Sequence, residues 1–174
     1  RGGALLTVDH NRLFDPVMLQ ARRLVAEGVL GEVVGVESFQ AGTASERSWL
    51  DRLPGGGIGD LVPHPLYLQL AFLGRVRDMR VLASSGVEGR LDEVRVLMQG
   101  EEGVSGVLTI STRACPQLNT LKLYGTRMTI EVNLNNMTLV RRRDYAAPKV
   151  IAKSLPNLDE AWSLTRQTIA NAVN

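Results

Sequence analysis

Asp60 and His64 stand four residues apart, directly after the glycine-rich run Gly55-Gly56-Gly57-Ile58-Gly59. On a helix that spacing puts both side chains on one face. An imidazole beside a carboxylate is an acid/base unit suited to neutral pH, because the carboxylate orients the ring and stabilises its protonated form. Alcohol oxidation needs such a base, which takes the hydroxyl proton as hydride leaves the same carbon. General base catalysis of this kind contributes roughly a hundred- to ten-thousand-fold. In that reading His64 is the base, and Asp60 orients it or the substrate. The same residues also read as a helix N-cap aspartate followed by a structural histidine, or as a metal pair. For a metal, His10 is the one further imidazole, and no cysteine or carboxylate cluster completes a ligand set, so no metal site is expected.

The elements that must carry this pair follow from residue pattern. Four glycines in five positions leave the backbone open to unusual dihedrals. Pro63 is tolerable in a first helical turn, but Pro65 forfeits a hydrogen bond if the helix begins at Asp60. A helix over Pro63–Leu73, ending at Gly74, is therefore predicted, with Asp60 on the preceding turn. Upstream, the polar, glycine-rich stretch 41–59, with Trp49 at its middle, reads as a long loop, either functional or disordered. Before it, Asp15 and Pro16 mark a helix start. Phe14, Val17, Met18, Ala21, Leu24 and Val25 form its apolar stripe, and Gly28 takes the left-handed position after it. Ala4–Val8 is predicted to be a short buried strand, and 33–40 another. From Val76 to Arg143 alternating residues predict a run of strands joined by short turns, hence antiparallel neighbours. Pro156-Asn157 is expected to open a final helix. The order predicts the α+β class: one large, mostly antiparallel, open-faced sheet with helices packed on one face. An open apolar face calls for self-association.

Composition narrows the partners. The 174 residues carry 20 basic and 18 acidic side chains, too balanced for nucleic acid or an anionic membrane as the main partner. The basic run Arg141-Arg142-Arg143 reads either as a solvated strand end or as a contact for phosphate or an acidic partner. Cys115 is the sole cysteine, expected to be a buried or half-buried thiol, and its solitude fits a reducing, cytoplasmic compartment. No apolar run approaches the ~20 residues that span a bilayer. A chain of this length should bury roughly 70% of its unfolded surface. The strand-like start and helix-like end suggest part of a longer protein.

Three stretches resemble the glucose–fructose oxidoreductase and inositol dehydrogenase (Gfo/Idh/MocA) family. They are His10-Asn11-Arg12-Leu13-Phe14-Asp15-Pro16 with the following helix to Gly31; Trp49, Gly55-Gly56-Gly57 and Asp60-x-x-x-His64 with Leu73-Gly74; and Leu123 to Glu131. The resemblance implies a two-domain enzyme, in which an N-terminal Rossmann domain binds NAD or NADP. Residues 1–174 then correspond to the C-terminal substrate-binding and oligomerisation domain. Asp60 and His64 match the family's catalytic pair, with Arg12 and Trp49 on the substrate side. The chain departs from the pattern in two respects: it contains neither a strand followed by Gly-x-Gly-x-x-Gly nor the family's Glu-Lys-Pro lysine. The fragment is therefore expected to bind dinucleotide poorly and to be inactive alone. The intact protein is expected to oxidise or reduce a small sugar, polyol or related hydroxy compound, as a homo-oligomer. A non-catalytic ligand-binding or assembly module of the same fold is the alternative.

Overall fold

Alternating apolar and polar residues set the strands, and stripes at three- and four-residue spacing set the helices. The computed structural model describes residues 3–42, 52, 55–86, 89–146 and 148–173. Its strands are β1 (Val33–Ala41), β2 (Val76–Ser85), β3 (Leu91–Gly100), β4 (Ser105–Ser111), β5 (Leu118–Gly125), β6 (Thr129–Asn133) and β7 (Thr138–Arg142). Its helices are α1 (Pro16–Ala26), α2 (Gly56–Leu61), α3 (Pro63–Leu73) and α4 (Lys149–Val173), with a 3-10 turn at Asn11–Phe14.

The strands form one seven-stranded sheet in the order β2-β3-β4-β1-β5-β6-β7. The α+β class, the large open sheet and its largely antiparallel pairing are as the residue pattern predicts. One feature departs from it. β1 lies between β4 and β5, parallel to the first and antiparallel to the second, so two strands that are consecutive in sequence never pair. The connection 112–117 crosses the end of β1, which puts Cys115 on the surface, exposed and not buried as expected.

One sheet face presents Val36, Val94, Val96, Met98, Leu108, Ile110, Leu121, Leu123, Ile130 and Val132 to the helices, all buried. α1 answers with Val17, Met18, Ala21 and Leu24, α2 with Ile58, and α3 with Leu68 and Leu73. Each such side chain contributes about 1.5–3 kcal/mol on burial. Phe14, expected in the α1 stripe, is instead exposed, because it precedes the helix. α4 runs along the β7 edge. Gln167 exchanges hydrogen bonds with the Leu139 backbone (2.8 and 2.9 Å), so a helix satisfies what would be an open strand edge. β2, at the other edge, is exposed throughout.

Two further expectations are corrected. Ala4–Val8 is not a buried strand: it has no regular structure, and Leu5 and Leu6 are 100% and 96% exposed. A strand needs a neighbouring strand for its backbone hydrogen bonds, and none of β1–β7 pairs with this segment. The final helix begins at Lys149 and runs unbroken past Pro156, so this proline lies inside a helix already under way and does not open it.

Candidate active site

Gly55 (φ 80°) and Gly56 (φ 58°) take the left-handed turn that starts α2, a conformation side chains resist. The glycine-rich end of the predicted loop is thus helical from Gly56 onward. Val62 stays helical and links α2 to α3, its N–H reaching Ile58 O at 2.9 Å. Pro63 and Pro65 supply no N–H, so Gly59 O and Leu61 O lose their donors four residues on, and the path breaks into two helices there. α3 covers Pro63–Leu73 and ends at Gly74, as the spacing predicts.

Asp60 is exposed on α2, and His64 is half-buried in the first turn of α3. No hydrogen bond or ion pair joins the two. The imidazole turns instead to Tyr67, one turn further along α3, with His64 Nδ1 at 3.3 Å from the phenol oxygen and the rings edge-on at 5.9 Å between centroids. Tyr67 in turn donates to Asn11 Oδ1 at 3.4 Å. The His10 ring lies over the phenol at 4.5 Å between centroids. Four side chains from two separate segments, the turn at residues 10–11 and the start of α3, therefore meet at Tyr67.

Hydrogen-bond accounting assigns the protons. The Arg12 backbone N–H donates to Asn11 Oδ1 at 2.8 Å, which fixes that atom as the amide oxygen, an acceptor only. The Tyr67 hydroxyl hydrogen is then committed to Asn11. Its oxygen can only accept from His64, so Nδ1 carries the proton and Nε2 keeps a free lone pair. Nε2 is thereby set up to accept a proton. Burial pushes the Tyr67 phenol above its ordinary pKa, opposed by the Arg12 amide and charge and reinforced by Asp15 and Asp9. The phenol accordingly stays protonated at neutral pH.

Arg12 is close to this cluster, but its guanidinium is held elsewhere. It pairs with Asp15 at 3.2 Å and reaches Leu134 O at 3.5 Å. The Asp15 carboxylate occupied in this way makes no side-chain cap to α1, although Asp15 is the N-cap residue. Trp49 lies outside the described residues. Tyr67, Asn11 and His10 as a cluster went unread in the sequence. The His64-x-x-Tyr67 spacing, three residues apart on one helix face, was the available signal. The contact to residues 10–11 is tertiary and had none.

Among the described residues no group of three or more His, Cys, Asp or Glu side chains stands close enough to hold a metal ion, and no helix is long and apolar enough to cross a membrane. Gly55–Gly59 opens α2 with no described strand running into it, and β1 with β4 is the one parallel pair.

A family model, the GFO/IDH/MocA C-terminal domain, matches residues 18–131. Solved structures with the same fold include levoglucosan dehydrogenase in complex with NADH (18% identity over 79% of this chain and 43% of that one, TM-score 0.69). They also include an inositol dehydrogenase homolog from Azotobacter vinelandii complexed with NADH and myo-inositol (24%, 81% and 40%, TM-score 0.68). A third is an NAD binding oxidoreductase from Klebsiella pneumoniae (23%, 82% and 44%, TM-score 0.69). The chain spans less than half the length of each, and at these identities the likeness establishes the fold. No curated protein matches the chain in sequence.

Proposed function

Since this chain belongs to the GFO/IDH/MocA C-terminal domain family, we propose that it is the substrate-side domain of an NAD(P)-dependent oxidoreductase acting on a sugar, polyol or related hydroxy compound. His64 accepts the proton of a substrate hydroxyl through Nε2. The observation that supports this is the His64–Tyr67–Asn11 chain, in which donor accounting puts the proton on Nδ1 and leaves Nε2 to accept one. Asp60, one helical turn away and without a polar partner among the described residues, contributes its negative charge to the approaching hydroxyl or to His64 once protonated. Arg12 and Trp49 are the substrate-binding residues that the family resemblance implies. The dinucleotide is held by sequence outside these 174 residues, so the chain alone turns nothing over.

Replacing His64 with Ala in the full-length protein tests the assignment. Turnover of the cognate substrate should fall by roughly a hundred-fold or more, and unchanged turnover would remove His64 from the chemistry. It would also favour the second reading, a non-catalytic ligand-binding or assembly module of the same fold, which the separation of Asp60 from His64 supports.

The protein works in the cytoplasm as a homo-oligomer assembled through the open sheet face, with a small-molecule substrate and neither nucleic acid nor a membrane as partner. Leu82, Leu97 and Val107 lie on that face at 69%, 57% and 38% exposure, beside Glu37, Lys122 and Glu131. A light-scattering mass at a multiple of the 19.0 kDa chain is expected, and Leu97→Asp should return it to the monomer. A strictly monomeric parent would sink the assembly surface.

A further inference from the structure

The basic run Arg141-Arg142-Arg143 is split by the strand that carries it. Successive side chains of β7 point to opposite faces. Arg142 turns to the open face, where Glu131 (3.6 Å) and Glu160 (2.8 Å) neutralise it. Arg141 and Arg143 turn to the helix side and line a cleft of about 460 Å³ between α1, β7 and α4. Arg166 of α4 faces them across it, with Trp162 and Ser163 on the same helix and Gln20 of α1 completing the rim. None of these residues belongs to the His64 cluster.

The charge in the cleft is unbalanced. Three guanidinium groups face a single carboxylate, Asp159, which already accepts a hydrogen bond from the Tyr145 hydroxyl. No ion pair among the described residues involves Arg141, Arg143 or Arg166. Arg143 is steadied by stacking over the Tyr145 ring at 5.2 Å. Guanidinium forks suit the geometry of phosphate and carboxylate oxygens. Trp162, 69% exposed although it is the largest side chain type, offers a flat apolar wall beside them. A volume of this size holds a monosaccharide-sized body together with its anionic group.

We propose that this cleft is a second binding site, for a small oxyanion-bearing ligand, a phosphate monoester or a carboxylate on a sugar-sized body. The oxyanion sits among Arg141, Arg143 and Arg166, and the body lies against Trp162. The site stands whether or not His64 is a catalytic base.

Trp162 itself reports occupancy. In a Trp49→Phe background its fluorescence is titrated with inorganic phosphate, glucose 6-phosphate, glucuronate and glucose. A saturable change is expected with the anions, weakening as KCl rises, and none with glucose. Tighter binding of glucose 6-phosphate assigns a phosphoryl group, and tighter binding of glucuronate a carboxylate. Arg141→Gln and Arg166→Gln should each weaken the preferred anion by about tenfold, while Arg95→Gln, paired with Glu93 on the open face, leaves it unchanged. Far-UV circular dichroism checks that each variant is folded; Arg166, exposed on α4, keeps the test alive if Arg141→Gln unfolds. No saturation with any anion, an equal response to glucose, or folded Arg166→Gln binding like the parent would overturn the site.

Discussion

Replacing Tyr67 with Phe removes one oxygen and keeps the ring that packs against His10 and His64. With the phenol hydrogen committed to Asn11, that oxygen alone decides which imidazole nitrogen of His64 is protonated. A net hydrogen bond is worth about 1 kcal/mol, so its loss releases a bias of about fivefold between the two tautomers. Long-range proton–nitrogen NMR on histidine-labelled protein, at a pH well above the usual imidazole range, reads this directly. His10→Gln removes the only other imidazole signal. The parent should show a protonated Nδ1 and a bare Nε2, and Tyr67→Phe should move both nitrogens toward the average. Asp60→Asn should leave them where they are, because no bond links Asp60 to the ring. In the full-length protein Tyr67→Phe should lower kcat by about twofold at most with little change in KM, because the competent tautomer falls only from about five in six to about half, far short of the loss expected on deleting the base. A parent carrying its proton on Nε2, or a Tyr67→Phe spectrum identical to the parent, would overturn the assignment of the proton to Nδ1.

Two other outcomes follow from the geometry. A methyl group on Gly125 would lie 2.3 Å from Leu30 O and 2.9 Å from Met128 O, both backbone, so Gly125→Ala should cost about 2–4 kcal/mol. At Gly28 (φ 68°) the space is open and only the left-handed backbone resists, so Gly28→Ala should cost about 1 kcal/mol; urea unfolding that ranks the two the other way would count against the packing at Gly125. The Tyr124 hydroxyl donates to Glu37 Oε2 at 2.6 Å, and its pKa is pushed up to about 12, by burial first and then by Glu37 and Glu131. Because the folded state holds this proton more tightly, the stabilisation is complete below the ordinary phenol pKa near 10 and is lost as pH rises through about 12. Solvent screening at this partly exposed site reduces the effect to about 1 kcal/mol. Urea titrations from pH 9 to 12 should show this extra loss in the parent and not in Tyr124→Phe.

Much of the fold was legible because its signals are local. The apolar stripe of α1, the alternation in β3 to β7, and Gly74 after Leu73 are each encoded within a dozen residues, and each element appears where those residues put it. The family's fingerprint stretches were legible for the same reason. What was not legible depends on distant neighbours. The insertion of β1 between β4 and β5 is a pairing of residues about 70 and 85 positions apart, and sequence adjacency points to the wrong neighbour. Ala4–Val8 has strand composition and no strand beside it. Pro156 reads locally as a helix start, yet the helix is held from outside by Glu160 to Arg142 and by Gln167 to Leu139, contacts that outweigh one missing N–H.

The candidate site divides along the same line. Asp-x-x-x-His is a statement about one helix, and it presumes that the helix is continuous from the aspartate to the histidine. Pro63 and Pro65 interrupt that continuity, making His64 a first-turn residue of α3 while Asp60 lies in the last turn of α2. A side chain in a first turn finds its neighbour three residues onward, and here that neighbour is a phenol with its own long-range anchor on Asn11. β1, with the strands on either side of it, supports this arrangement from below, since α3 packs over β1, β4 and β5. The residues that mark the family in sequence and the residues gathered around the imidazole in space therefore overlap in His10, Asn11 and His64, and Tyr67, which links them, is the addition. An orienting role belongs to Tyr67 and Asn11 in this geometry, and no bond brings Asp60 into it.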